Sequence, residues 1–305
     1  MKILLLGGAG QVGTELRRSL APLGELVTTT RDGKLHGGAP AVAMDLSDID
    51  SIAPLLARIQ PDVVVNATAY TAVDRAESER DAAFRINAEA PARLAIACAA
   101  GKATLIHLST DYVFDGSGTQ PYREEDPTCP LGVYGASKLA GEQAIGGSGA
   151  HHLILRTAWV YALHGQNFLR TMLRVGADRD ELRVVADQIG SPTPAWLIAD
   201  VIAAILARGV GTSGVRHLVA CGQTSWHGFS EAIFLEAHAQ GLLERVPRVL
   251  PITTADYPTP AQRPVWSVLD TRRLQAEYAL ALPDWRDALR QTLALPAFPE
   301  VPARA

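Results

Sequence analysis

Tyr134 and Lys138 stand four residues apart and share one face of any helix they lie on. A free phenol titrates near about 10 and a free lysine near about 10.4. A lysine cation beside the phenol favours phenolate and lowers its pKa. Such a pair suits proton transfer to or from an oxygen, although Y-x-x-x-K also marks many ordinary helix surfaces. Two further features decide between these readings. Gly7, Gly10 and Gly13 form G-x-x-G-x-x-G between the apolar run Lys2–Leu6 and a helical stretch, Gln11–Ala21. Glycine lets the backbone come close to a pyrophosphate, and the helix N-terminus behind it favours anionic charge. Thr110, in Ser109-Thr110-Asp111-Tyr112-Val113-Phe114, ends a predicted fifth strand. Its hydroxyl is placed to bond the substrate oxygen that Tyr134 serves. Together these residues predict carbonyl reduction with a nicotinamide dinucleotide. Tyr134 gives the proton, Thr110 orients the oxygen, and Lys138 tunes the phenol and holds the nicotinamide ribose.

The end of the second strand decides between NAD and NADP, because an acidic residue there binds a ribose hydroxyl and an arginine suits a 2′-phosphate. Thr30-Arg31 stands there, followed by Asp32. Arg31 favours NADPH, while Asp32 leaves NADH open. Asp45-Leu46 ends the third strand, near where an adenine would lie. Asn66-Ala67-Thr68-Ala69-Tyr70 ends the fourth, where Ala67 and Ala69 either make room for cofactor or serve close packing. Asp111 is either a turn cap or a second polar group on the substrate, such as a partner for a sugar hydroxyl.

The elements that must position these residues follow a strand–helix alternation. Strands are predicted at Lys2–Leu6, Glu25–Arg31, Ala41–Met44, Val63–Asn66, Thr104–Leu108, His152–Arg156 and Val215–Ala220. Helices are predicted at Gln11–Ala21, from near Asp50-Ser51, at Ala88–Ala100 with Gly101 at its end, and around Tyr134. The pattern predicts an α/β fold, a doubly wound parallel sheet of Rossmann type. A smaller, mixed α/β substrate lobe is expected beside it. It would use helices Asn167–Val175, Gly228–Gln240 and one near Asp284–Leu293, with a proline-rich stretch from Pro247 to Pro264. Residues 1–160 and 192–223 are assigned to the dinucleotide-binding domain and 161–191 and 224–295 to the lobe. Residues 296–305 read as a loose tail.

The order of glycine turn, strand-end hydroxyl and Y-x-x-x-K resembles the extended short-chain dehydrogenase/reductase superfamily. Longer stretches sharpen the match: Ser109–Gly116, Pro130–Glu142, Arg156–Tyr161, Asp187–Thr193 and Tyr257–Pro264 resemble the dTDP-4-dehydrorhamnose reductases. That resemblance covers nearly the whole chain up to about Leu293. It implies NAD(P)H-dependent reduction of the 4-keto group of dTDP-6-deoxy-L-lyxo-4-hexulose to dTDP-L-rhamnose. It also implies cofactor contacts at Gly10, Gln11, Val12, Asp45, Leu46, Ala69, Tyr70 and Thr71. Catalytic roles fall on Thr110, Tyr134 and Lys138, and sugar-nucleotide contacts on Thr110, Asp111 and Trp159. Arg263 is an expected nucleotide-phosphate contact. Some members of that family form a magnesium-bridged dimer through carboxylates. Glu15 matches one of these, but Trp196 stands where another would lie, so no metal site is expected. The alternatives are a sugar-nucleotide epimerase or dehydratase, and a non-catalytic regulatory subunit of methionine adenosyltransferase with a similar fold.

The 305 residues are 48% hydrophobic and 20% charged, with net charge −4. That composition supplies a core and gives no basic excess pointing to nucleic acid. Met1–Leu6 is too short for a signal-peptide core, and no segment has the apolar length of a membrane span. Cys98, Cys129 and Cys221 are scattered, so buried or partly buried thiols in a reducing cytoplasm are expected. The expected partner is a dTDP-sugar, with neither nucleic acid nor membrane, and the protein is expected as a monomer or homodimer.

Overall fold

The computed structural model describes residues 1–295. Seven parallel strands form the central sheet: β1 (Lys2–Leu6), β2 (Glu25–Thr30), β3 (Val42–Ala43), β4 (Val63–Asn66), β5 (Thr104–Thr110), β6 (His152–Thr157) and β7 (Gly214–His217). Their spatial order is β7-β6-β5-β4-β1-β2-β3. The order reverses between β1 and β4, and doubly wound sheets bind ligands in the crevice at such a switch point. Here Gly7 follows one strand and Ala67 the other.

Alternation along the strands supplies two apolar faces. Leu4, Leu6, Val64, Leu105 and Ile154 face one way, onto helices α2 (Ile52–Ile59), α3 (Ala90–Gly101) and α4 (Val133–Gly146). Ile3, Leu5, Val65, Ile106 and Leu155 face the other, onto α1 (Gln11–Leu20), α5 (Phe168–Asp178) and α6 (Ala195–Arg208). This second cluster continues through α7 (Trp226–Ala239) and α8 (Trp285–Ala294), where Phe229, Phe234 and Trp285 are fully buried. Sheet and lobe therefore share one apolar core.

Several elements differ from the sequence reading. The proline-rich stretch holds a strand, Arg248–Ile252, paired in parallel with Glu181–Val185. Pro251 is tolerated because this small sheet has two strands and each is an edge. A helix at Arg272–Tyr278 has no sequence counterpart in the expectations. A π-helical turn, Arg85–Glu89, precedes α3 and buries Asn87. Lys102 rather than Gly101 takes the left-handed position after α3, with φ +57. Cys129 is exposed, not buried, whereas Cys98 is fully enclosed and its thiol is pushed up to about 12 by burial. The tail expected over 296–305 lies outside the described residues. Among the described residues no helix is long and apolar enough to cross a membrane.

Candidate active site

The glycine turn is held by close packing. Gly7 has φ +82, and a Cβ there would meet the Thr68 hydroxyl at 2.7 Å. A Cβ on Gly13 would lie 2.0 Å from the Gly7 carbonyl oxygen. Glycine at these two positions lets α1 start directly against the end of β1. In front of the turn lies a cleft of about 830 Å³, within the usual range for cofactor sites. Its lining includes Gly7, Gly10, Gln11, Val12, Thr30 and Arg31 on the β1–β2 side. Asp45, Leu46, Ala67, Ala69 and Thr71 follow from the ends of β3 and β4, and Tyr134 and Lys138 from α4.

Two expected cofactor contacts do not line this cleft. Gly13 packs α1 against Gly7 instead. Tyr70 turns away, its hydroxyl donating to Glu79 at 2.6 Å while Asn87 clasps its backbone N–H and C=O. Several lining residues were not foreseen. Gly165 and Gln166 reach the cleft from a loop more than 150 residues away, tied down where Gln11 Nε2 donates to the Gln166 carbonyl at 3.3 Å. His36, from the glycine-containing loop after β2, also lines the cleft and bonds the Ala9 carbonyl at 3.0 Å. No local sequence pattern marks either contact.

Arg31 is 81% exposed, with Nε 4.0 Å from Asp45. Asp32 is committed to its own turn, accepting from Thr30 and from the Lys34 N–H, each at 3.2 Å. These bonds, led by the Lys34 N–H, hold its carboxyl below the usual range. Arg31 is thus the less constrained of the two candidate specificity residues.

Strand β5 and helix α4 carry the expected trio. A Cβ on Gly135 would sit 2.2 Å from the Tyr112 carbonyl oxygen, so glycine lets α4 press against the turn after Thr110. Tyr112 meets the Tyr134 ring edge-on at 5.7 Å between centroids. The Thr110 hydroxyl donates to Asp111 Oδ1 at 3.0 Å and accepts the Tyr112 backbone N–H at 3.2 Å. Desolvation pushes the phenol up to about 12, with the Asp111 charge acting in the same direction and Thr110 opposing. The sequence reading expected Lys138 to lower it. Instead, Lys138 Nζ turns to the Leu108 carbonyl, 2.6 Å away, and burial lowers the Lys138 pKa to about 8. Tyr134 is therefore held as a protonated phenol near neutrality, the form a proton donor needs.

Asp111 is 2% exposed, its Oδ2 has no hydrogen-bond partner among the described residues, and burial raises its pKa to about 6. An orphaned carboxylate oxygen beside Thr110 is the kind of unpaired buried group that marks a ligand position. The other two expected substrate contacts are occupied within the chain. Trp159 stacks on Trp226 at 3.5 Å between centroids and adopts φ +46, with its indole against Gly190. Arg263 makes a two-pronged pair with Asp74 at 2.8 and 2.9 Å and also donates to Thr259 and the Ala261 carbonyl. Glu15, read as one possible magnesium ligand, accepts from His164 at 3.0 Å and lies 3.4 Å from Arg18. The Trp196 indole donates to Thr292 at 2.9 Å. Among the described residues no group of three or more His, Cys, Asp or Glu is placed to hold a metal ion.

A buried polar seam fixes α4 on the sheet. Two residues along β5 advance about 6.6 Å and four along α4 about 6 Å, so strand i, i+2 can meet helix i, i+4. His107 accordingly faces Lys138, and Ser109 faces Glu142. Arg156, the register partner of Ser109 on β6, closes the seam with a two-pronged pair to Glu142 at 2.7 and 3.0 Å.

The family model described as the RmlD substrate binding domain matches residues 1–297. The chain belongs to this family. Among RmlD relatives, the dTDP-4-dehydrorhamnose reductase of Burkholderia thailandensis is 48% identical over 298 residues, covering 95% of this chain and 97% of the relative. A crystal structure of a dTDP-4-dehydrorhamnose reductase from Clostridium acetobutylicum superposes with TM-score 0.87 at 34% identity, covering 96% of this chain and 98% of that one. A Bacillus anthracis dTDP-4-dehydrorhamnose reductase in complex with NADP gives TM-score 0.86 at 33% identity, covering 96% and 99%. The family match spans both the sheet and the lobe.

Proposed function

We propose that the chain reduces the 4-keto group of dTDP-6-deoxy-L-lyxo-4-hexulose to give dTDP-L-rhamnose, using NADPH. The observation that carries this reading is that Tyr134 and Lys138, one turn apart on α4, both line the dinucleotide cleft beside Ser109 near the end of β5. The 48% identity to a named reductase over nearly the full length supports the choice of substrate.

The cleft fits a dinucleotide by its volume and by the two glycines at its floor. Gly7, Gly10, Gln11 and Val12 would hold the pyrophosphate at the start of α1. Asp45 and Leu46 would flank the adenine. Arg31, being exposed and weakly engaged, suits a 2′-phosphate, whereas Asp32 is occupied by Thr30 and Lys34. NADPH is therefore the preferred donor, with NADH as the weaker one. When bound, it supplies the hydride. Thr110 bonds the substrate carbonyl oxygen and Tyr134 gives that oxygen its proton as negative charge develops. Asp111 Oδ2 accepts from a sugar hydroxyl, which gives the unpaired oxygen its partner. Lys138 bonds the ribose next to the nicotinamide. Residues 1–160 and 192–223 serve the dinucleotide, and 161–191 and 224–295 the sugar nucleotide. The reading places the reaction in the cytoplasm, in supply of activated sugar for envelope polysaccharide.

Steady consumption of NADPH with the dTDP-keto sugar, and none with UDP-glucose, is the expected result. Turnover of sugar without net NADPH oxidation would instead assign the chain to the epimerases or dehydratases. Nucleotide binding with no turnover of either kind would fit a regulatory subunit.

A further inference from the structure

The inner end of the polar seam contains a donor–acceptor constraint that the proposed reaction does not use. Asn66 and His107 are register partners on β4 and β5 and are both fully buried. Asn66 Oδ1 accepts the Thr68 backbone N–H at 3.0 Å, which fixes the amide's orientation. Its Nδ2 must then donate to His107 Nδ1, also 3.0 Å away. A neutral imidazole that accepts at Nδ1 carries its hydrogen on Nε2. That nitrogen points at Lys138 Nζ, 3.2 Å away. Charging the ring would not relieve the conflict, because imidazolium would confront both the Asn66 amide and the lysine with N–H groups. Burial and the lysine charge hold His107 far below its ordinary pKa.

We propose that His107 is a positioning residue that sets the proton state of Lys138: locked by Asn66 as the Nε2–H tautomer, it offers the lysine a donor, which the free amine can accept and the ammonium cannot. The amine then accepts from His107 and donates to the Leu108 carbonyl. Other charged and titratable groups face the same nitrogen or its surroundings. Glu142, one turn along α4, favours the ammonium, but its carboxylate is already bonded by Arg156 and Ser109. Tyr134 lies one turn the other way, and Asp111 acts on that phenol from beyond Thr110. The desolvation of Lys138 works in the same direction as the His107 hydrogen. Lys138 should therefore exchange its proton close to neutrality.

This inference deepens the proposed role of Lys138, but its test needs neither nucleotide nor turnover, so the two can fail separately. Nitrogen-15 spectra of histidine-labelled, nucleotide-free protein should show His107 neutral, with hydrogen on Nε2. Carbon-13 titration of the lysine side chains, with Lys138 assigned by its loss in Lys138→Met, should place its midpoint well below that of the other lysines. Asn66→Asp keeps the acceptor for Thr68 but presents a carboxylate to Nδ1. It should move the hydrogen to Nδ1 and raise the Lys138 midpoint by about one pH unit or more. A wild-type His107 carrying its hydrogen on Nδ1, or a tautomer change in Asn66→Asp that leaves Lys138 unmoved, would overturn the proposal.

Discussion

Asp111→Asn should make the protein more stable near neutrality while lowering its turnover. The wild-type carboxyl is buried, accepts a bond from Thr110 and leaves Oδ2 without a partner among the described residues. Burial outweighs the opposing influence of Ser267 and Thr110 and raises its pKa from 3.8 to about 6. That gap corresponds to about 3 kcal/mol at about 1.4 kcal/mol per pH unit. Its sign follows from proton binding. The folded state keeps this proton at a higher pH than the unfolded chain does. The resulting stabilisation is complete below pH 3.8 and is lost as pH rises to about 6. At neutrality the fold carries a poorly paired buried charge. Asparagine keeps an acceptor for Thr110 and does not titrate, though its amide hydrogens enter the same dry pocket at a cost of about 1 kcal/mol or more. The net gain near neutrality should be about 1–2 kcal/mol, shrinking below about pH 6 and gone near about pH 4. Urea unfolding of both proteins across that range measures it. A stability difference that does not change with pH would refute the reasoning, because it would show that Asp111 carries no folding-linked proton. Lower turnover with greater stability is the usual exchange when a group is kept for a ligand.

Three further outcomes are expected. Glu142→Gln leaves Arg156 charged in a site where both side chains are about 5% exposed or less, so urea unfolding should show a loss of about 3–5 kcal/mol, and Glu142→Leu with Arg156→Met should recover much of it. An equal loss in the double variant would assign the effect to packing. Gly13→Ala drives a Cβ into the Gly7 carbonyl oxygen and should destabilise the fold by about 1–3 kcal/mol while weakening NADPH in a calorimetric titration; unchanged affinity would contradict the packing account. Arg31→Ala should raise KM for NADPH by about tenfold, the loss of one charge-assisted contact, with little change for NADH, and equal effects on both would remove Arg31 as the phosphate contact.

The sheet was legible because its strands are short, apolar and separated by helices with clear ends. Lys2–Leu6 and Val63–Asn66 have the bounds expected from residue type alone. The glycine turn and the spacing of Tyr134 and Lys138 were local patterns, and local patterns survive in sequence. The Arg248–Ile252 strand was hidden because Pro251 within it reads as loop, and only an edge position accommodates it. Contacts made by distant segments left no trace of that kind. Gln166 reaches the cleft through Gln11, and Asp74 meets Arg263 across 189 positions. The charge state of the site was also illegible. Spacing predicts that Lys138 lowers the Tyr134 pKa, but burial dominates both groups, and burial is a property of the assembled fold. His107 could have been noticed as a polar residue inside an apolar strand, and its register with Asn66 emerges only from the sheet.

The role of Tyr134 as proton donor is tested most directly by Tyr134→Phe, assayed for NADPH binding and for NADPH oxidation with the dTDP-keto sugar in parallel. The phenol hydroxyl is the only atom removed, and the ring keeps its edge-on contact with Tyr112. The expected result is nucleotide affinity within about twofold of wild type and turnover reduced by about 10²–10⁴-fold, the range for loss of a positioned general acid. Turnover at the wild-type rate with the hydroxyl gone would contradict it.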